Sequence, residues 1–195
     1  PLHMISPASD DRRRIEEFPN ELVDYLSSMI DAQLTPRVIV NRDSLRNAMI
    51  VSMAIGGSTN VILHAPEIAR AAGFSNFSEE IMSPEEFNHL SQHVVPVLVD
   101  ARPFGNYSMV DIDKMGGIQV IIKDLMDAGL LTGNTMTCTM ETLEQQVNRL
   151  NPPSPDGEII FSVESPFKKT GGLRLLGGNL SSDHSAILKL AGVEG

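Results

Sequence analysis

The sequence predicts an α+β chain that is mainly helical over residues 1–150 and forms strands over residues 151–195. In the first part, apolar residues recur every three or four positions, which is the spacing of one helix face. The composition then changes at "NPPSPDG", a Pro-rich linker or tight turn. After it, alternation in "EIIFSV" and "GLRLLGG" is typical of strands. We therefore expect two domains, the second of which the chain only begins.

Two helices are predicted before the first glycine pair. The segment "ELVDYLSSMIDAQL" places four apolar residues on one face: Leu22, Leu26, Met29 and Ile30. Pro36 disfavours helix at Thr35, so "TPRVIV" is predicted to be a short extended connection. Asn41 is a suitable N-cap for "RDSLRNAMIVSMAI", which is apolar on every side after Asn47. That second helix is predicted to be buried.

Three later helices carry start or stop signals. In "SPEEFNHL", Ser83 is the expected N-cap, Pro84 takes the first helical position, and Glu86 closes a capping box. The segment "VVPVLVDARPFGNY" is predicted to be extended and to end in a turn. Gly129 is expected to stop the helix "GGIQVIIKDLMDAGLL", and Thr139 is the expected N-cap of "TMETLEQQVNRL".

Charge and cysteine content limit the classes of partner. The formal charge of −10 argues against nucleic acid and anionic membranes as partners. Small molecules or proteins are the expected partners instead. The single cysteine, Cys138, excludes an internal disulfide and a metal site built by this chain from cysteines alone. With no signal-peptide pattern and no apolar run of about 18 residues, a cytoplasmic location is expected.

The stretch "AIGGSTNVILH" is the first candidate site. Ser58, Thr59 and Asn60 are all good N-cap residues, and Gly57 before them lets the backbone approach another group closely. Bare N–H groups at such a helix start favour a carboxylate or phosphate. The alternative, which the residues alone favour, is a capped junction between two buried helices. His64 fits a packing or capping role better than that of a base, since Pro66 is expected to disturb the helix there.

Other candidates have equally plain alternatives. Gly117 precedes an apolar helix whose start presents bare amides, like the first site. Asp111 and Asp113 could hold a cation, but two carboxylates on one helix usually form a solvated face. Arg102 could clamp a carboxylate, or form a surface ion pair. Residues 183–185, "DHS", are no catalytic triad, because neighbours on a strand point to opposite faces.

Three segments, in order, resemble one family. They are "TPRVIVNRDSLRNAMIVSMAIGGSTNVILH", "VPVLVDARPFGNYSMVDIDKMGGIQVIIKDLMDAGLL" and "TGGLRLLGGNLSSDHSAILKLAGVEG". They are similar to the Gly-Gly-Ser-Thr-Asn signature, the Pro-x-Gly-x-Tyr turn and the Gly-Asn-Leu segment of the dihydroxy-acid and 6-phosphogluconate dehydratases, which include sugar-acid dehydratases. The resemblance runs from about residue 35 to the end.

The resemblance implies a hydro-lyase that converts a 2,3-dihydroxy carboxylate into a 2-keto acid. It implies an iron–sulfur cluster, a magnesium ion and a homodimeric or homotetrameric parent enzyme. The family's cluster cysteines, metal ligands and catalytic serine match no position here, so no catalytic or metal-binding residue is expected in this chain. Only Gly57, Ser58, Thr59 and Asn60 are carried over, as residues near the substrate. Residues 1–150 are then the helical C-terminal portion of the family's first, cluster-binding α/β domain, and residues 151–195 are a linker and the first strands of a second, β-barrel-like domain. Such a fragment is expected to be inactive by itself.

Departures from the family pattern affect the substrate. Cys138 stands where many members have glycine in a Thr-Gly-Lys-Thr-like turn, "GNLSSDHSAILK" is longer than usual, and Phe104 replaces a common serine. They point away from the branched-chain biosynthetic enzyme and towards a sugar-acid or uncharacterised branch. The alternative function is a non-catalytic module, used for folding, dimerisation or anion binding.

Overall fold

The computed structural model describes residues 18–102 and 105–189. Nine α-helices lie in these ranges, and a π-helical turn, Leu90–Val94, follows the sixth helix. The helices are α1 (Phe18–Asp31), α2 (Pro36–Ile39), α3 (Arg42–Ala54), α4 (Asn60–Ala72), α5 (Phe77–Glu80), α6 (Pro84–His89), α7 (Met109–Lys114), α8 (Ile118–Asp127) and α9 (Leu143–Leu150). Two strands, β1 (Leu173–Gly178) and β2 (Ser181–Lys189), end the described chain.

Helix α3 is the buried helix that the sequence predicts. The Asn41 side chain accepts the N–H of Ser44, and the Ser44 hydroxyl accepts the N–H of Asn41, which completes a capping box. Ile50 and Met53 are among the most deeply buried side chains of the molecule. The core around them includes side chains from α4, α6, α7, α8 and β1.

Residues 36–39 correct one prediction, since they form helix α2 and not an extended connection. Pro36 does keep Thr35 extended, with φ −90° and ψ 158°. Pro36 itself occupies the first helical turn, where a missing N–H costs no hydrogen bond. The proline therefore starts this short helix.

Two cap predictions are wrong in detail. Ser83 does cap α6 by accepting the N–H of Glu86, but the Glu86 carboxylate accepts a hydrogen bond from Arg46 at 3.0 Å and does not close a capping box. Thr142, not Thr139, is the N-cap of α9, where it forms a capping box with Gln145. The sequence Thr142-Leu-Glu-Gln145 is itself the capping-box pattern, so the signal was present three residues further on.

The prediction that Pro66 disturbs the helix at His64 is also wrong. Helix α4 runs unbroken from Asn60 to Ala72 with Pro66 inside it. Ala65 and Ala69, on either side of the proline, are buried in the core. Their packing holds the helix although the proline nitrogen donates no hydrogen bond.

A buried extended segment, residues 95–101, passes through the centre of the fold. The N–H of Leu98 donates to the carbonyl of Ala54 at 2.7 Å, which joins the segment to the end of α3. Isolated bridges link Val99 to Ile160 and Val97 to Lys168. The segment "EIIFSV", which is predicted to be a strand, therefore forms only an isolated bridge at Ile160.

The sheet has two antiparallel strands, with Leu173 opposite Lys189. The strand predicted in "GLRLLGG" is confirmed as β1. Within the described residues no barrel is present, so the β-barrel-like part of the predicted fold class is not confirmed. Leu173 and Ile160 lie in the same hydrophobic core as the helices. The division into domains near residue 150 stays a prediction.

Candidate functional site

A cleft of about 170 Å³ brings together residues from the three segments that resemble the dehydratase family. The α3–α4 turn supplies Gly57 and Ser58, the loop after the extended segment supplies Arg102, and β2 supplies Lys189. Apolar side chains line most of the remaining wall: Ile55, Val99, Ala101, Met109, Ile112, Ile118 and Ile121. No carboxylate lines the cleft within the described part of the chain. The combination of two cations and an apolar wall suits an organic anion with a short alkyl part.

The glycine pair ends α3 in a Schellman motif. The N–H of Gly57 donates to the carbonyl of Ser52 at 2.8 Å, and the N–H of Gly56 donates to that of Met53 at 3.2 Å. Gly56 has φ 62°, the left-handed conformation that the motif requires. A Cβ on Gly57 would lie 2.8 Å from the Ser52 carbonyl oxygen. The turn is therefore a helix junction, and it also forms one edge of the cleft.

The start of α4 is capped less completely than its composition suggests. Thr59 occupies the N-cap position, but it has helical backbone angles and its side chain makes no capping hydrogen bond. The Ser58 hydroxyl instead accepts the N–H of Asn60 at 3.2 Å. Of the four predicted residues, Gly57 and Ser58 line the cleft, whereas Thr59 and Asn60, at the start of α4, do not. Their proximity to a substrate stays a prediction.

Arg102 lies in a loop held by a buried carboxylate. Asp100 accepts the backbone N–H of Asn106 at 3.1 Å and its side-chain amide at 2.8 Å. Gly105 permits this approach, because a Cβ there would lie 2.3 Å from the Asp100 side chain. The Nε of Arg102 donates to the carbonyl of Asn106 at 3.1 Å. Phe104, a departure noted in the sequence, lies outside the described residues.

Tyr107 ties the same loop to the segment after α9. Its hydroxyl donates to the Glu158 carboxylate at 2.6 Å, and this hydrogen bond raises the pKa of the Tyr107 hydroxyl. The backbone N–H of Tyr107 also donates to the carbonyl of Asp100 at 3.1 Å. The loop that carries Arg102 is thus fixed at both of its ends.

Asp111 completes a capping box with Ser108 at the start of α7. Its carboxylate accepts the hydroxyl of Ser108 at 2.6 Å and the N–H of Ser108 at 2.9 Å. These hydrogen bonds lower the pKa of the Asp111 carboxyl below its usual range. Gly117, the second predicted helix start, is buried and does not line the cleft, although its neighbour Ile118 does.

The other candidates lie away from the cleft. Cys138 is a free, half-buried thiol in the turn before α9, and His64 is exposed on α4. In that turn the residue with left-handed backbone is Met140, with φ 66°.

Sequence reasoning missed Lys189 and Met109 as lining residues. Lys189 ends a strand and Met109 begins a short helix, so neither lies in a motif that predicts a site. The antiparallel register that sets Lys189 opposite Leu173 places it beside the core. Only the packed fold shows this, because the two segments are far from the glycine turn in sequence.

Among the described residues, no group of three or more His, Cys, Asp or Glu side chains could hold a metal ion. This part of the chain therefore does not fit an iron–sulfur cluster or a magnesium ion by itself. Within the same residues, no helix is both long enough and apolar enough to span a membrane.

Comparison with known proteins identifies the family. The family model described as "Dihydroxy-acid/6-phosphogluconate dehydratase N-terminal" matches residues 2–146. The chain belongs to the dihydroxy-acid/6-phosphogluconate dehydratase family. This confirms the resemblance that the glycine-turn motifs indicate.

Curated relatives of this dehydratase-family chain agree with the assignment. A protein named "Dihydroxy-acid dehydratase" from Acidothermus cellulolyticus is 39% identical over 97% of the chain and 32% of its own length. One from Arthrobacter sp. is also 39% identical, over 97% of the chain and 31% of its length. "Dihydroxy-acid dehydratase 2" from Corynebacterium efficiens is 44% identical over 81% of the chain and 26% of its length. The chain spans about a third of the length of the curated relatives it matches.

Proposed function

We propose that the chain is part of a hydro-lyase that removes water from a 2,3-dihydroxy carboxylate to give a 2-keto acid. The cleft carries this proposal, because it joins the glycine turn, Arg102 and Lys189 beside one apolar wall. Family membership supports the reaction class, and relatives named dihydroxy-acid dehydratase support the substrate class.

In this proposal the cleft positions one end of the substrate. The guanidinium of Arg102 donates to the substrate carboxylate through its terminal nitrogens, since its Nε already binds Asn106. Ile55, Met109 and Ile118 form an apolar wall that fits a short alkyl substituent. This wall favours an aliphatic dihydroxy acid over the sugar acid to which the sequence departures point.

The parent enzyme is proposed to use an iron–sulfur cluster and magnesium, as the family resemblance implies. The described residues offer no ligand set for either group, so we assign to this chain no step that runs through them. The isolated chain is therefore proposed to be inactive. The cytoplasmic location and the homodimeric or homotetrameric assembly stay predictions.

Binding to the cleft can be tested on the chain itself. Glycerate, the simplest 2,3-dihydroxy carboxylate, is expected to shift the amide signals of Gly57 and Ser58 saturably in a nuclear magnetic resonance titration. Arg102→Gln should weaken binding by about tenfold, because one charge-assisted hydrogen bond is lost. Arg174→Gln is the matched control, since Arg174 is exposed on β1 and does not line the cleft. No saturable shift, or equal effects of the two variants, would refute carboxylate binding.

Catalysis needs the remainder of an enzyme. A chimera of the Acidothermus cellulolyticus relative, with its matching third replaced by this chain, should form a 2-keto acid from a dihydroxy carboxylate. A folded chimera that binds glycerate and carries its cluster, yet forms no product, would favour the alternative of a non-catalytic anion-binding module. A matched chimera carrying Arg102→Gln should lose activity through a raised KM.

A further inference from the structure

A second, larger cavity of about 370 Å³ lies between α3, α4, α5 and α6 and shares no lining residue with the cleft. Its floor reaches the core at Met49, Met82 and Phe87, each at most 3% exposed. Phe74 and Phe77 form aromatic walls. Small-molecule sites occupy roughly 300–1,000 Å³, so this cavity is large enough to hold one, and its lining combines an apolar floor with polar groups at the rim.

The mouth of the cavity carries one carboxylate, Glu67, and one cation, Arg70, which lie one turn apart on α4. The Nε of Arg70 donates to Glu67 at 2.9 Å, and the two side chains are 71% and 65% exposed. An exposed pair of this kind adds little to stability, so a ligand can draw both charged groups to itself at small cost. The terminal nitrogens of Arg70 and one carboxylate oxygen of Glu67 remain for that purpose.

The opposite rim is held in place by Glu80. One of its carboxylate oxygens accepts the N–H and hydroxyl of Ser75 and the N–H of Asn76, at 2.7–2.8 Å. The Asn76 side-chain oxygen accepts the N–H of Ser78 at 3.1 Å, which leaves its NH₂ group as a donor at the rim. Asn76 thus adds an amide donor to the charged groups of Arg70 and Glu67 at the lining of the cavity.

We propose that this cavity binds a free α-amino acid with a large apolar side chain. The ligand carboxylate accepts hydrogen bonds from Arg70 and Asn76, and its ammonium group donates to Glu67. The side chain enters the apolar floor, where Met82 and Phe87 offer sulfur and aromatic contacts. A simple acid or a simple amine would use only one of the two charges at the mouth, so the site selects the zwitterion.

Methionine methyl signals separate the two sites in one experiment. Met49 and Met82 line the cavity, whereas Met109 lines the cleft. With methyl-¹³C-methionine in the full chain and signals assigned by Met→Leu variants, L-leucine should shift Met49 and Met82 saturably and leave Met109 unchanged. The matched probes are 4-methylpentanoate, which lacks the ammonium group, and 3-methylbutylamine, which lacks the carboxylate.

Each matched probe should bind at least about tenfold more weakly than L-leucine. Arg70→Gln and Glu67→Gln should each lower the affinity for L-leucine by a similar factor. Lys123→Gln, which breaks the ion pair with Asp127 on α8, is the control and should change nothing. Either probe binding as tightly as L-leucine would overturn the proposal. So would a shift confined to Met109, or an unaltered affinity in Arg70→Gln. Shifts of the Gly57 and Ser58 amide signals on addition of glycerate test the proposed function independently of this proposal.

Discussion

At the residue scale, Gly57 lets the chain turn from α3 into α4 at the edge of the cleft. A Cβ at this position would lie 2.8 Å from the Ser52 carbonyl oxygen, a backbone atom that already accepts the N–H of Gly57. Gly57→Ala is therefore expected to lower the free energy of unfolding by about 1–3 kcal/mol, as overpacking does. Gly178→Ala is the matched control, since open space surrounds Gly178. Equal urea midpoints for the two variants would show that the close approach does not limit the fold.

The pair Glu141–Arg149 makes stability depend on pH. Arg149 binds both carboxylate oxygens of Glu141, at 2.8 and 3.0 Å from its Nε, and these hydrogen bonds lower the pKa of Glu141 from 4.5. A lowered carboxyl pKa stabilises the fold above the unfolded value, and the contribution is lost as pH falls through the folded value. The difference in unfolding free energy between the native chain and Arg149→Gln should therefore shrink below about pH 4.5. A gap that stays constant from neutral pH to about pH 3 would contradict this.

At the scale of elements, two asparagines clamp distant segments in the same way. Asn47 on α3 exchanges hydrogen bonds with the backbone N–H and carbonyl of Thr132, both at 2.9 Å. Asn88 on α6 does the same with Leu175 on β1, both at 2.8 Å. Each asparagine thus provides hydrogen-bond partners for the N–H and the carbonyl of a residue that lies more than 80 positions away in the sequence. Asn47 therefore fixes the segment after α8 against α3, and Asn88 fixes β1 against α6.

Removing the second clamp should loosen β1 selectively. Asn88→Ala leaves the N–H and carbonyl of Leu175 without partners, at a cost of about 1–3 kcal/mol. We expect faster hydrogen exchange at Leu175, measured by nuclear magnetic resonance, together with a lower urea midpoint. Asn134→Ala is the control, because Asn134 is exposed. If exchange at Leu175 is unchanged, packing of Leu173 and Leu175 alone holds the strand.

At the scale of the whole molecule, local signals could be predicted and contacts between distant segments could not. The Asn41 cap, the Gly129 stop and strand β1 follow from residues next to one another in sequence. The cleft does not, because Arg102 and Lys189 meet only after the extended segment packs on α3 and β2 pairs with β1. The family resemblance predicts a barrel-like second domain, whereas the described residues form a sheet of two antiparallel strands.

Stability is also unevenly distributed over the molecule, and α1 lies at its weak end. No residue from Asn20 to Asp31 is buried. On the face predicted from spacing, Leu22 and Met29 are half-buried, whereas Leu26 is 58% and Ile30 67% exposed. A helix of 14 residues is marginal in water without tertiary packing.

Amides of α1 should therefore exchange much faster than those of α3, whose Ile50 and Met53 are buried. Leu26→Gln should leave the urea midpoint nearly unchanged, whereas Ile50→Gln should lower it strongly. Equal protection of α1 and α3 in native-state hydrogen exchange would contradict this and would mean that another surface covers the apolar face of α1 in solution. Leu26→Gln should then increase the exchange rate of the α1 amides, because it weakens that contact.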